Sequence, residues 1–244
     1  MGKLDGRVAI VTGGGSGIGK GIACGLASED AKTIITARGG GRLDNAAEEI
    51  RTRTRGGIVV QIPSDVSDEI QVSRLFERTV DLFHRVDLLV NNAGLFDGGP
   101  LDELSADAWD KVIAANLRGP FLCTRAAMRI MKKQSGGRII NIGSISAQRP
   151  RINSGPYTVS KFGIWGLTIV TALEGREHGI SACCLHPGNV RVERVRGDLE
   201  PPSEPSMEVE DLAEVAVLMA CLPPHLEMLE AIVLPLKQPY LARG

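Results

Sequence analysis

Aromatic residues are scarce, at 4% of the 244 positions, although hydrophobic residues make up 43%. A core must therefore be built from Val, Ile, Leu and Ala, the usual material of a parallel sheet covered by helices. No apolar run is long enough to span a bilayer. No long basic stretch occurs and the formal net charge is −1, so neither nucleic acid nor an anionic membrane is indicated as a partner. Residues 1–6 lack the apolar segment of a signal peptide, which makes the cytoplasm the expected compartment. The histidines His84, His178, His186 and His225 are scattered, without metal-ligand spacing, and no metal is expected. Cys24, Cys123, Cys183, Cys184 and Cys221 form no C-x-x-C pair, and Cys183 and Cys184 read as core residues in a reducing compartment. No Pro/Ser-rich linker interrupts the interior. The one loose stretch, 196–207 with Pro201, Pro202 and Pro205, is too short to join two domains. One domain over residues 1–244 is expected, with a mobile flap at about 190–208 beside a site.

What is present is an alternation of short apolar runs and helical stretches. Strands are expected at 7–12, 33–37, 58–62, 87–90, 138–142, 180–185 and 230–234. Helices are expected at about 17–29, 42–53, from a cap at Ser67 and Asp68 to Phe83, and at 106–134, 156–178 and 208–222. Repeated β-α units call for a parallel sheet, because each crossover helix returns the chain to the same edge.

Two clusters carry chemistry. Tyr157 and Lys161 are four apart, so on a helix they share a face. A phenol titrates near ~10, too high for a base at neutral pH, and a neighbouring cation favours the phenolate. Ser144, if folded nearby, offers a hydroxyl to a carbonyl or alcohol oxygen. Alone, a Tyr-x-x-x-Lys pair is most often an ordinary surface contact. The second cluster is Thr12-Gly13-Gly14-Gly15-Ser16-Gly17-Ile18-Gly19, between the first strand and first helix. Glycines let a backbone approach a pyrophosphate, and the helix N-terminus presents free N–H groups to that anion. The spacing is G-x-x-x-G-x-G, not the usual dinucleotide fingerprint, and a merely tight structural turn is the bland alternative.

Taken in order, these motifs resemble the short-chain dehydrogenase/reductase family in its single-domain form. The glycine turn is followed by Asp65-Val66 after the third strand and Asn91-Asn92-Ala93-Gly94 after the fourth. Asn116 lies in Asn116-Leu-Arg-Gly119, then come Ser144, Tyr157 and Lys161, and finally Pro187-Gly188-Asn189-Val190. The resemblance implies an α/β fold, a single doubly wound Rossmann domain whose seven-stranded parallel sheet has the order 3-2-1-4-5-6-7 and helices on both faces. It implies an enzyme that moves a hydride between a nicotinamide cofactor and a carbonyl or secondary alcohol. Asn116, Ser144, Tyr157 and Lys161 would be the catalytic set, with Tyr157 the acid and base, Lys161 its tuning charge and ribose ligand, and Ser144 orienting the oxygen. Asn116 would interrupt its helix to hold a water. Gly13, Ser16, Gly17, Ile18, Gly19, Asp65, Val66, Asn92, Ala93, Gly94, Pro187, Gly188 and Val190 would join Tyr157 and Lys161 in binding the cofactor. Phe96, Gln148 and Ile152 would face the substrate beside Ser144 and Tyr157.

The end of the second strand reads Ile35-Thr36-Ala37-Arg38, with no acid to bond a ribose 2′-hydroxyl. Arg38 offers a planar fork to a 2′-phosphate, assisted by Arg42, so NADP is favoured over NAD. Two departures from the family stand out. Val192 occupies a place where many relatives have a Thr, and the C-terminus lacks the Asp-Gly-Gly ending common in acyl-carrier-protein reductases. Arg149, Arg151, Arg191, Arg194 and Arg196 fall near the expected mouth, as a solvated rim or as an attraction for an acidic substrate. A non-catalytic redox sensor on the same fold is the alternative function; a lyase or epimerase would need a larger substrate lobe. Apolar residues on more than one face of the two long helices, among them Trp109, Val112, Leu117, Phe162, Trp165 and Ile169, suggest a homotetramer, with a dimer as runner-up.

Overall fold

Each strand is short, apolar and bounded by a helix, so no two consecutive strands can form a hairpin, and every pairing is parallel. The computed structural model describes residues 2–54, 56–192 and 204–240. The strands are β1 (Val8–Thr12), β2 (Lys32–Thr36), β3 (Val59–Gln61), β4 (Leu88–Asn91), β5 (Gly137–Ile142), β6 (Ile180–Pro187) and β7 (Glu230–Val233). They form one seven-stranded sheet in the order β3-β2-β1-β4-β5-β6-β7. The helices are α1 (Gly17–Ser28), α2 (Gly40–Arg53), α3 (Glu69–Phe83), α4 (Ala106–Ile113), α5 (Gly119–Lys133), α6 (Gly155–Gly175) and α7 (Val209–Cys221). Sheet order and helices match the expected fold class.

The alternating sides of the strands build two cores. Ala9, Val11, Ile35, Val90, Ile140 and Leu185 face α1, α2 and α7, through side chains such as Leu26, Leu43 and Leu212. Val8, Ile10, Ile34, Leu89, Ile139 and Ala182 face α3 and α5, through Leu75, Phe76, Leu122 and Met131. Both faces are buried, which is why the strands read as unbroken apolar runs.

Two buried charges fix the lower edge and the last helix. Asp87, just before β4, accepts from the Val8 amide at 2.9 Å and pairs with Arg85 at 2.6 Å and Arg7 at 3.0 Å. Burial pushes this carboxyl up, but the bonds from Arg85, Val8 and Arg7 outweigh it and hold it below the usual carboxylate range. Arg138 on β5 donates to the carbonyls of Met219, Pro223 and Leu226, and so binds the end of α7 to a central strand.

The chain runs from β1 outward to β3, then returns to β4 on the other side of β1. That reversal opens a crevice at the carboxyl ends of β1 and β4. Thr12 ties its two lips together. Its hydroxyl accepts from the amides of Asn92 and Ala93, each at 3.0 Å, and reaches the Val90 carbonyl at 3.3 Å.

Candidate active site

A cleft of about 1280 Å³ occupies this crevice. Of the residues singled out from sequence, Gly13, Ser16, Gly17, Ile18, Arg38, Asp65, Val66, Asn92, Ala93, Gly94, Phe96, Tyr157, Lys161 and Pro187 line it. Gly19, Asn116, Ser144, Gln148, Gly188 and Val190 are not among the lining residues.

One end of the cleft is the glycine turn. Gly13 has φ +66°, and a Cβ there would lie 2.8 Å from the side-chain Nδ2 of Asn92. A Cβ on Gly19 would stand 2.3 Å from the Gly13 carbonyl oxygen. The turn thus doubles back on itself as no chain with side chains at these points can. It delivers the N-terminus of α1 to the cleft, and Ser16 makes no side-chain cap there. The first amides of α1 are left to an external acceptor, and the helix dipole favours an anion. Arg38 and Arg42 reach the same end, exposed, and among the described residues neither has an ion-pair partner. Asp65 instead holds its own loop, accepting from the Ser67 amide and hydroxyl at 2.9 and 2.7 Å.

The other end is built on α6. Pro156 opens this helix in its first turn, where a missing N–H costs nothing. Tyr157 and Lys161 follow one turn apart. Lys161 is only 7% exposed; its ammonium donates to the Ile142 carbonyl at 2.8 Å and lies 5.5 Å from the centroid of the Tyr157 ring. Phe96 meets the same ring edge-on, with centroids 5.1 Å apart. Phenol, cation and aromatic wall therefore converge at the floor of the cleft.

Asn116 sits behind that floor, 2% exposed, in a wide π-helical turn (Ala114–Arg118) between α4 and α5. Its Oδ1 accepts from the Leu95 amide at 2.8 Å, and its Nδ2 donates to the Leu95 carbonyl at 2.9 Å and to the Ser160 hydroxyl at 3.2 Å. The side chain thus pairs with Leu95 as a neighbouring strand would. The helical stretch expected over 106–134 is present, and its α-helical bonding gives way to the π-helical turn at the Asn116 position, where the resemblance implied an interruption.

Ser144 follows β5. Its hydroxyl accepts from the Ser146 amide at 3.1 Å and opens a short 3-10 turn (Ile145–Ala147) that packs on α6. Beside it lies a residue that sequence reasoning passed over. The side chain of His186, at the end of β6, has 0% exposure, with Nδ1 2.9 Å from the Ser144 carbonyl and 3.3 Å from the Ser144 amide. Burial lowers its pKa below the ordinary 6.5, against the opposing pull of the Ser144 carbonyl and Glu230. Gln148, expected to face substrate, has both ends of its amide engaged. Its Nε2 donates to Glu230 at 2.6 Å, and its Oε1 accepts from the Tyr240 hydroxyl. The only early sign of His186 was a polar residue closing the apolar run 180–185.

Burial pushes the thiols of Cys123, Cys183 and Cys184 up to about 12, leaving them protonated and inert. Among the described residues no group of three His, Cys, Asp or Glu could hold a metal, and no helix is long and apolar enough to cross a membrane. Arg151 is paired with Glu204 and Arg191 with Glu208, at 3.2 and 2.9 Å, which neutralises that part of the rim. Arg194, Arg196 and most of the expected flap lie outside the described residues.

Known proteins resemble this chain in sequence and in fold. Residues 7–201 match the family model for short chain dehydrogenases. An uncharacterized oxidoreductase of Staphylococcus saprophyticus is 32% identical over 96% of this chain and 100% of its own. The 3-oxoacyl-[acyl-carrier-protein] reductase of Synechocystis is 35% identical over 77% of this chain and 76% of its own. The crystal structure of a metagenomic short-chain oxidoreductase in complex with NADP superposes with a TM-score of 0.84, at 33% identity, over 96% of this chain and 98% of that one.

Proposed function

The chain belongs to the short-chain dehydrogenase family, an oxidoreductase family, and from that premise we propose that it transfers a hydride between NADP(H) and a carbonyl or secondary alcohol, with Tyr157 as acid and base. The observation that carries this reading is the Lys161 ammonium 5.5 Å from the Tyr157 ring centroid, both facing one cleft with the glycine turn.

The residues present fit a nicotinamide dinucleotide. The uncapped amides of α1 suit its diphosphate, and Arg38 with Arg42 suits a 2′-phosphate. Asp65 and Val66 would flank the adenine, and Asn92, Ala93, Gly94, Lys161 and Pro187 the far half. Bound there, the dinucleotide supplies or accepts the hydride.

In the reducing direction, Tyr157 gives its phenolic proton to the substrate oxygen as the carbonyl carbon gains a hydride, and the product is an alcohol. In the oxidising direction, the phenolate takes the hydroxyl proton back. The Lys161 cation stabilises the negative charge left on the phenolic oxygen. The Ile142 carbonyl holds that cation in place. Ser144 orients the substrate oxygen, and Asn116, tied to Leu95 and Ser160, fixes the wall behind Lys161. Phe96 offers an apolar surface beside the reacting centre, being 62% exposed.

Purified protein incubated with NADPH and a panel of ketones and aldehydes should consume the reduced cofactor, and should do so faster than with NADH. Cofactor binding without turnover of any carbonyl or alcohol, in either direction, would sink the enzymatic reading in favour of a redox sensor.

The same reading includes a homotetramer, with a dimer as alternative. Val159, Phe162, Val170 and Leu173 on α6, together with Phe121 on α5, are exposed apolar side chains. On α6 they recur at helical spacing as a stripe that a second copy would cover. Light scattering at micromolar concentration should give four times the chain mass; a monomer would refute the proposal.

A further inference from the structure

The geometry points to Glu230 as a positioning residue that holds both ends of the Ser144–Gln148 segment, one end through His186 and the other through Gln148. The inference rests on the hydride-transfer reading, since it concerns the loop that presents Ser144.

The Ser144 hydroxyl is placed by its own backbone, because the residue leaves β5 with no further strand to pair with. What lies against that backbone is the His186 ring. The Gly143 amide donates to the Leu185 carbonyl at 2.8 Å, which brings His186 alongside the Gly143–Ser144 peptide. No side chain fits between them: a Cβ on Gly143 would stand 2.5 Å from His186 Nδ1. The ring also meets Trp165 edge-on, with centroids 5.9 Å apart. A ring held this tightly transmits any displacement to the Ser144 peptide that its Nδ1 touches.

Its remaining nitrogen, Nε2, is buried without a hydrogen bond and faces Glu230 Oε1 at 3.4 Å. The charged groups around the ring are Glu230 from β7 and Lys161 from α6. The same Glu230 oxygen accepts from Gln148 Nε2 at 2.6 Å, and the Tyr240 hydroxyl closes the far end of the Gln148 amide. Glu230 is thus shared between the two ends of a five-residue segment that begins with Ser144. It comes from β7, whose pairing with β6 aligns it with Cys184. No substrate or cofactor need touch Glu230 for it to set where the Ser144 hydroxyl stands.

Two variants separate positioning from mere stability. Glu230→Leu removes both contacts. Glu230→Gln keeps the length of the side chain and an oxygen that can accept from Gln148. Each is corrected for its folded fraction by thermal melting, then assayed with NADPH and a ketone that the wild type reduces. Glu230→Leu should lower kcat roughly ten- to hundredfold, the scale set by a displacement of about 1 Å at a reacting centre. KM for NADPH should stay within about twofold, because the glycine turn and Arg38 are untouched, and Glu230→Gln should restore most of kcat. An unchanged kcat per folded molecule in Glu230→Leu, or an equal loss in both variants, would overturn the proposal. If the wild type reduces nothing in the panel, the hydride-transfer reading fails on its own. The pair is then judged by the Ser144 amide resonance in NMR spectra, which should move in Glu230→Leu and return in Glu230→Gln. A resonance that stays put in Glu230→Leu overturns the inference.

Discussion

Tyr157→Phe should abolish turnover, by roughly 10³-fold or more, while cofactor affinity stays near the wild-type value; general acid–base groups typically contribute about 10²–10⁴-fold. The change removes one oxygen and keeps the ring. The edge-on contact with Phe96 survives, as does the Lys161 ammonium above the ring face. Lys161 also keeps its bond to the Ile142 carbonyl, so no buried cation is left without a partner. The folded state should therefore be little disturbed, and the loss should fall on the proton-transfer step. Steady-state consumption of NADPH reads the first quantity, and the fluorescence of bound NADPH reads the second. Normal turnover in the variant would remove Tyr157 from the role assigned to it.

Arg38→Asp should reverse the cofactor preference. Arg38 stands just past β2, where a carboxylate would bond a ribose 2′-hydroxyl and repel a 2′-phosphate. The guanidinium is exposed and unpaired among the described residues, so its contribution is screened by solvent. A swing of roughly 100-fold in the ratio of kcat/KM for NADPH over NADH is expected, the lower part of the range for losing a charged partner. Measuring kcat/KM for both cofactors decides it. An unmoved ratio would reduce Arg38 to a solvated loop charge.

Much of the fold was legible because the strands are buried on both faces. The run Arg138–Ile142 reads as a strand from composition alone, and β5 runs from Gly137 to Ile142. The cap at Asp68 was equally plain, and its carboxylate accepts from the Ile70 and Gln71 amides. The interruption at Asn116 was different. Ala114–Arg118 is helix-forming material, and only the family resemblance suggested a break. What meets Asn116 there is the backbone of Leu95, twenty-one positions away. Distance in sequence also hid the surroundings of Ser144. Gln148 was expected to face substrate, yet its amide is held by Glu230 and Tyr240, 82 and 92 positions on. His186 carried no spacing signal, since its partners lie on β7 and on the loop after β5. Local pattern shows which residues point inward; it does not show which polar groups find each other once they are there.

The Thr12 hydroxyl, clasped by the amides of Asn92 and Ala93, has a consequence for how the cleft works. A single oxygen rivets the first and fourth loops into one fixed jaw before any ligand arrives. That half of the cleft is therefore preset by the protein's own hydrogen bonds rather than assembled around a ligand.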